Sequence, residues 1–144
     1  MISTSARRVT DQSDPALTDR IRQQAEMRLA YFAAHPDQID RRLRELDAEW
    51  DVERALETGS STLTLTGLVL GTVASRKWLL LSLAVQGFFM QHALQGWCPP
   101  LPVLRRLGFR TQYEIERERY ALKAIRGDFG PPAAPAEAAH AVHA

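Results

Sequence analysis

The chain has 144 residues, and its 18 Lys and Arg against 17 Asp and Glu give a formal net charge of +1. A chain of this length holds one domain, or one small domain with tails. Its near-neutral balance gives no strong electrostatic attraction to nucleic acid. The single cysteine, Cys98, excludes an intramolecular disulfide, and hence a disulfide-stapled secreted scaffold. No secretory signal peptide is visible, because the first residues are polar.

The N-terminal third of the chain predicts a disordered lead followed by amphipathic helices. Residues 1–12 are polar and are expected to be disordered, and residues 13–58 are expected to be helical. Ser13-Asp14-Pro15 is a helix-start signal, and His35-Pro36 ends the first helix. The apolar residues at helical spacing are Leu17, Ile21, Ala25 and Leu29 in the first helix and Ile39, Leu43, Leu46 and Trp50 in the second.

Five acidic residues alternate with other residue types near the end of this helical region. They are Glu45, Asp47, Glu49, Asp51 and Glu53. Alternate positions do not share a helix face, which disfavours a metal site. We therefore expect these carboxylates to face water.

One apolar block dominates the middle of the chain, because residues 62–104 carry only Arg76 and Lys77 as formal charges. Residues 59–97 are predicted to form a two-helix transmembrane hairpin with a dibasic turn, and Trp78 and Trp97 are placed like interfacial aromatic residues. Residues 78–97 would rise about 30 Å, which is enough to cross a bilayer. Residues 62–75 would rise only about 21 Å. The first helix must therefore start earlier, near Leu56, or the bilayer must thin, or this run does not fully span it.

The basic residues outside the block predict an orientation. Arginines are frequent both before and after the hairpin, whereas its turn holds only Arg76 and Lys77. By the positive-inside rule both termini are predicted to be cytoplasmic, and the turn to face the periplasm.

Residues 98–128 predict a Pro-rich corner followed by a charged helix. Pro99, Pro100 and Pro102 prevent a regular helix at the corner. Thr111 and Glu114 have the spacing of a capping box, and the helix that they start is expected to run to Arg126 and to end at Gly127. Residues 129–144 are rich in Pro and Ala and are predicted to be a disordered tail.

These segments resemble a known family. The order is Ile39-Asp40-Arg41, an apolar hairpin, Gly96-Trp97-Cys98-Pro99, and then Leu107-Gly108-Phe109-Arg110-Thr111. This order resembles the YgaP-type inner-membrane domain family of small bacterial two-helix membrane domains, some of which are fused to a rhodanese domain. The chain is too short to hold a rhodanese domain, so sulfurtransferase activity is not carried over. The resemblance implies a bacterial inner-membrane hairpin that self-associates.

Six residues of the hairpin are candidates for helix packing. Gly67 and Gly71 leave a groove that can receive the other helix of the hairpin or a second protomer. The second run carries Gln86, Gln91, His92 and Gln95. Polar groups in a bilayer need partners, so we expect this face to point at the first helix, where threonines are available, or at another subunit. A ligand role for His92 is disfavoured because no second ligand is in view.

Cys98 is the one candidate reactive thiol. The Trp-Cys sequence is similar to a redox motif, but Leu101 occupies the place of a second cysteine, which excludes thiol exchange within the chain. Three roles then remain for Cys98 next to Arg105 and Arg106: a persulfide or redox carrier, a metal-binding thiolate, or a small apolar residue packed in a tight corner.

The sequence therefore predicts an all-α protein and leaves three functions open. The first is a non-enzymatic membrane module for anchoring or assembly, with the lipid bilayer as partner and a homo-oligomer formed through the hairpin. The second is a thiol-based sulfur or redox carrier that uses Cys98. The third is a soluble helical bundle with the apolar block as its core. No catalytic constellation, cofactor motif or small-molecule substrate is visible.

Overall fold

The computed structural model describes residues 6–141, and the ends of both predicted disordered tails, residues 1–5 and 142–144, lie outside the described residues. Within residues 6–141 the regular structure is entirely helical, which confirms the all-α prediction. Two 3-10 turns, Pro36–Gln38 and Arg76–Trp78, connect longer elements. The α-helices are α1 (Arg8–Asp11), α2 (Pro15–Ala34), α3 (Ile39–Ala48), α4 (Val52–Val73), α5 (Leu79–Gln95), α6 (Leu101–Arg106), α7 (Gln112–Arg126) and α8 (Pro135–Ala141).

The chain divides into two compact units, each built from two separate segments. Of the described residues, unit 1 comprises 6–14 and 51–109, and unit 2 comprises 15–50 and 110–141. The predicted boundary between residues 58 and 59 is not a boundary here, because α4 runs without a break through Gly59. The apolar and helix-compatible residues on both sides of this glycine outweigh its low helix propensity, which costs about 1 kcal/mol in a helix interior.

Unit 2 packs α2, α3, α7 and α8 around one apolar cluster. Ile39, Leu46 and Leu122 are almost fully buried in it. The capping box of α7 is confirmed: Thr111 Oγ1 accepts from the Glu114 backbone N–H, and Glu114 Oε2 accepts from that of Thr111. The predicted end of the helix at Gly127 is also confirmed, since this glycine has φ of 89°.

Both tails differ from the expected disorder where the structure describes them. Residues 135–141 form α8, because alanine is the strongest helix former and Ala138 is buried in the unit 2 cluster. In the lead, α1 buries Val9 against Val52 and Leu56 in the core of unit 1.

In unit 1, α4 and α5 form an antiparallel hairpin around the 3-10 turn at Arg76–Trp78. Asp51 caps α4 by accepting from the backbone N–H of Arg54 at 2.6 Å. Gly96 ends α5 with φ of 77°, and α1 lies so close that a Cβ atom at this position would clash with the backbone of Arg8.

The two helices approach closely at the glycines of α4. A Cβ atom at Gly67 would lie 3.0 Å from the carbonyl oxygen of Trp78 and 3.1 Å from the backbone nitrogen of Ser82. A Cβ atom at Gly71 would lie 2.5 Å from a methyl carbon of Leu79. Both glycines are buried and pack within the hairpin, so their open faces are occupied by α5.

The outward faces of the hairpin are covered with large apolar side chains. Leu80, Leu83 and Val73 are 67%, 70% and 75% exposed. The remaining members of this exposed set, here named the apolar belt, are Leu63, Leu65, Leu68, Val69, Leu79, Phe88, Met90 and Leu94. Within residues 6–141, none of the helices combines the length and the apolar character that crossing a bilayer requires.

We predict that Gly67→Ala destabilises unit 1 by about 1–3 kcal/mol, the usual cost of overpacking, because backbone atoms of α5 border the new methyl group. The control is Gly87→Ala on α5, where the new Cβ atom meets nothing within 4 Å. That substitution should stabilise the helix by roughly 0.5–1 kcal/mol. Thermal unfolding followed by circular dichroism measures both, and equal shifts for the two variants would contradict the close approach.

Candidate functional site

Cys98, the predicted reactive thiol, lies in the core of unit 1. It follows α5 after the Gly96 turn and is only 2% exposed. Val52, Leu56 and Leu101 belong to the same apolar cluster. The apolar packing that we expected for Cys98 is therefore present, but polar side chains also lie beside this cysteine.

The hairpin brings His92 and Glu53 together beside this cysteine. His92 Nε2 lies 2.8 Å from Glu53 Oε2, although the two residues are 39 positions apart in the chain. Glu53 belongs to the first turn of α4 and His92 to the last turn of α5. Cys98 lies close enough to the same imidazole to influence its charge, while His92 Nδ1 has no hydrogen-bond partner among the described residues. Glu53, His92 and Cys98 thus form a row of neighbouring side chains at the base of the hairpin.

The electrostatics of this row favour a charged histidine. The pKa of His92 is raised to about 9, first by the neighbouring Cys98 and then by the hydrogen bond with Glu53, against the opposing effect of burial. The pKa of Glu53 is lowered, first by its hydrogen bond with His92, and Arg8 lies 3.7 Å from this carboxylate. Glu53 and His92 are therefore an ion pair at neutral pH. A charged imidazole that is held by a carboxylate beside a cysteine can stabilise the thiolate form of that cysteine.

An apolar groove of about 500 Å³ opens beside Cys98 in unit 1. Its volume falls in the range of roughly 300–1,000 Å³ that is typical of small-molecule sites. No charged side chain lines it. Its wall comprises Ala55, Leu56, Gly59, Ser60 and Leu63 of α4, Val85, Phe88 and Phe89 of α5, and Cys98, Pro100, Val103 and Leu104 of the following corner and α6.

The polar residues predicted on α5 do not behave alike. Gln86 donates to Thr64 Oγ1 at 2.8 Å, and Ser82 donates to the backbone oxygen of Thr64 at 2.9 Å. His92 also reaches α4, through Glu53. Gln91 is half-buried and Gln95 is exposed, and neither makes a described hydrogen bond to the first helix. The polar residues of α5 that contact α4, here named the polar seam, are Ser82, Gln86 and His92. The sequence pattern did not single out Ser82.

A second polar cluster lies inside unit 2, around Glu118. Its carboxylate is buried and accepts hydrogen bonds from Arg28, Arg42 and Arg110. Burial raises the pKa of Glu118, but the hydrogen bonds and charges of these three arginines outweigh burial and bring it to about 2. Glu49 completes the cluster, since both of its carboxylate oxygens lie 2.7 Å from nitrogens of Arg110. Because these charges satisfy one another, the cluster holds α2, α3 and α7 together.

The expectation that the acidic run faces water is correct for Glu45 and Asp47, whose side chains are 51% and 68% exposed. It is wrong for Glu49, Asp51 and Glu53, which are half-buried. Glu49 pairs with Arg110, Glu53 with His92 and Asp47 with Arg119, and Asp51 caps α4. The partners of Glu49, Glu53 and Asp47 lie 39 or more positions away in the chain. The capping role of Asp51 depends on where α4 begins. No local sequence signal identifies such pairs. Within the described residues, no group of three or more His, Cys, Asp or Glu is placed to hold a metal ion.

Comparison of the chain with protein-family models, with curated protein sequences and with solved structures found no match.

We predict that Glu118→Gln destabilises unit 2 by about 3–5 kcal/mol, since it leaves three arginines without their shared carboxylate. The contribution of Glu118 in the wild type should be complete above its unfolded pKa of 4.5 and should be lost as the pH falls toward 2, because folding lowers this pKa. Urea unfolding between pH 2 and 7 measures both effects. Glu116→Gln on the same helix is the control, because its partly exposed pair with Arg119 should contribute only about 0–1 kcal/mol. A Glu118 variant as stable as this control would contradict the structural role.

Proposed function

We propose that the hairpin of unit 1 inserts into a lipid bilayer and that the protein is a non-enzymatic anchoring or assembly module. The observation that carries the proposal is the apolar belt, which leaves large aliphatic and aromatic side chains of both α4 and α5 exposed. Exposed apolar patches beyond a few hundred Å² are rare on soluble monomers and mark membrane or protein contacts.

The width of the belt favours lipid over a single partner helix. Leu68 and Val69 are exposed neighbours on α4, as are Leu79 and Leu80 on α5. Consecutive residues lie about 100° apart around a helix, so each helix presents a broad apolar arc to its surroundings. A partner helix would require only a narrow stripe, whereas lipid contacts every outward face.

The residues at the two ends of the hairpin are of the types found where an inserted segment meets the bilayer surface. Trp78 at the tip and Trp97 beyond the base are partly exposed, as interfacial aromatic residues are. Residues 58–73 of α4 carry no charge and rise about 24 Å, which is less than the hydrocarbon core of about 30 Å. We therefore propose that the hairpin enters from one face, with Arg76 and Lys77 extending their charged ends toward polar surroundings.

The proposed location is the inner membrane of a bacterium, with the base of the hairpin and both termini on the cytoplasmic side. The arginines that flank the apolar block support this orientation, and the resemblance to the YgaP-type family supports the compartment. A homo-oligomer would have to use the apolar belt, because α5 already occupies the groove at Gly67 and Gly71.

A thiol-based sulfur or redox carrier is the second candidate function, and the row of Glu53, His92 and Cys98 supports it. In the sulfur form of this chemistry the Cys98 thiolate attacks an inorganic polysulfide. A bond from Sγ to a sulfur atom forms, a sulfur–sulfur bond of the polysulfide breaks, and the shortened polysulfide leaves.

We predict that the wild-type protein stays in the membrane pellet after an alkaline carbonate wash. A double variant, Leu65→Arg with Leu83→Arg, should move to the supernatant, because each buried arginine costs about 2.5–3.5 kcal/mol on insertion scales. The matched control is Met27→Arg with Phe129→Arg, which places the same charges at similarly exposed apolar positions of unit 2. Recovery of the wild type in the supernatant as a monomer would favour the soluble bundle and would remove this proposal.

The carrier function predicts that polysulfide converts Cys98 into a persulfide, detectable by alkylation and mass spectrometry. His92→Gln should slow this reaction at least about tenfold, because the reacting thiolate loses the positive charge of the neighbouring imidazolium, and Cys98→Ser should abolish it. In urea the wild type and His92→Gln should react equally fast, because the unfolded chain no longer holds the two side chains together. Equal rates in the folded proteins would eliminate the carrier role of the row.

A further inference from the structure

We propose that the apolar groove of unit 1 is a binding site for one long acyl chain. The chemistry of its wall carries this assignment. Ser60 is the only wall residue with a hydroxyl group, and this hydroxyl donates to the backbone oxygen of Glu57. The wall therefore offers no charge and no free hydroxyl to a polar ligand, and it fits a hydrocarbon chain.

The size of the groove selects a slender occupant. An α-helix with side chains is about 10–12 Å wide and rises about 5.4 Å per turn. A groove of about 500 Å³ would therefore hold only about one turn of a partner helix. An acyl chain is much thinner, so the same volume accommodates a long stretch of it.

The position of the groove indicates how such a chain would enter. Leu63 and Phe88 line the groove and also belong to the apolar belt, and Val103 of its wall is 58% exposed. The groove is thus continuous with the surface that we propose to contact lipid. The chain can come from a membrane phospholipid or from a free fatty acid, and the site itself is built by α4, α5 and α6 whether or not the hairpin inserts.

Two glycines of the hairpin allow a matched test. A Cβ atom at Gly59 or at Gly87 meets nothing within 4 Å, so a larger side chain is tolerated at both positions. Only Gly59 lines the groove. Gly59→Leu therefore fills the proposed site, and Gly87→Leu makes the same chemical change elsewhere on the hairpin.

The experiment titrates the full-length protein with cis-parinaric acid, a linear fatty acid whose fluorescence rises in an apolar site. We expect saturable binding that palmitate displaces and butyrate does not. Gly59→Leu should weaken this binding at least about tenfold by occupying the groove, while Gly87→Leu should leave it unchanged. Palmitate should also protect Cys98, the sole cysteine, from alkylation by N-ethylmaleimide in the wild type.

Native mass spectrometry of protein purified from cells distinguishes the two sources. A phospholipid retained by the wild type and lost from Gly59→Leu identifies a membrane source, and a retained fatty acid identifies a free one. Failure of palmitate to bind, together with absence of any retained acyl lipid, would overturn the proposal, as would equal binding by both glycine variants. Release of the wild type by carbonate with palmitate binding intact would remove membrane insertion alone.

Discussion

The close approach of α4 and α5 is the constraint on which unit 1 depends. Gly67 and Gly71 have no side chains, so backbone and side-chain atoms of α5 occupy the space that a Cβ atom would need. Contact at two positions one helical turn apart fixes the register of the hairpin. That register sets Gln86 against Thr64 and, further toward the base, His92 against Glu53. The row that ends at Cys98 is therefore a consequence of the glycine contact.

The same register explains how an apolar hairpin tolerates polar residues. A buried polar group without a partner costs on the order of 1–3 kcal/mol, yet the buried Ser82 and His92 each contact an oxygen atom on α4, and the exposed Gln86 does so as well. Pairing them inward leaves the outer faces to large apolar side chains and to exposed threonines such as Thr62 and Thr66, whose hydroxyl groups donate to backbone oxygens of their own helix. The face of α5 that contacts the glycines of α4 therefore determines both features. It places the polar seam between the two helices and the apolar belt on their outer surfaces.

The structural features that could be predicted from the sequence are those that depend on neighbouring residues. The capping box at Thr111 and Glu114 and the stop at Gly127 involve neighbouring residues, and the structure has both. The pairs of Glu53 with His92 and of Glu118 with Arg28 span 39 and 90 positions, so composition and spacing could not reveal them. The tail helix escaped prediction for a related reason, because the burial of Ala138 depends on contacts with distant helices.

Cys98 belongs to two features with different requirements. As a thiol it lies beside His92, and a reagent must reach its sulfur atom. As part of the groove wall it faces a space suited to hydrocarbon. With the residue 98% buried, a reagent approaching from the groove can reach the sulfur only while no chain fills that space. Occupancy of the groove would then control the reactivity of the thiol, because a bound acyl chain excludes both water and charged polysulfide. The proposed sulfur chemistry at Cys98 and the proposed acyl-chain binding would therefore exclude each other, because both use the same side of the cysteine.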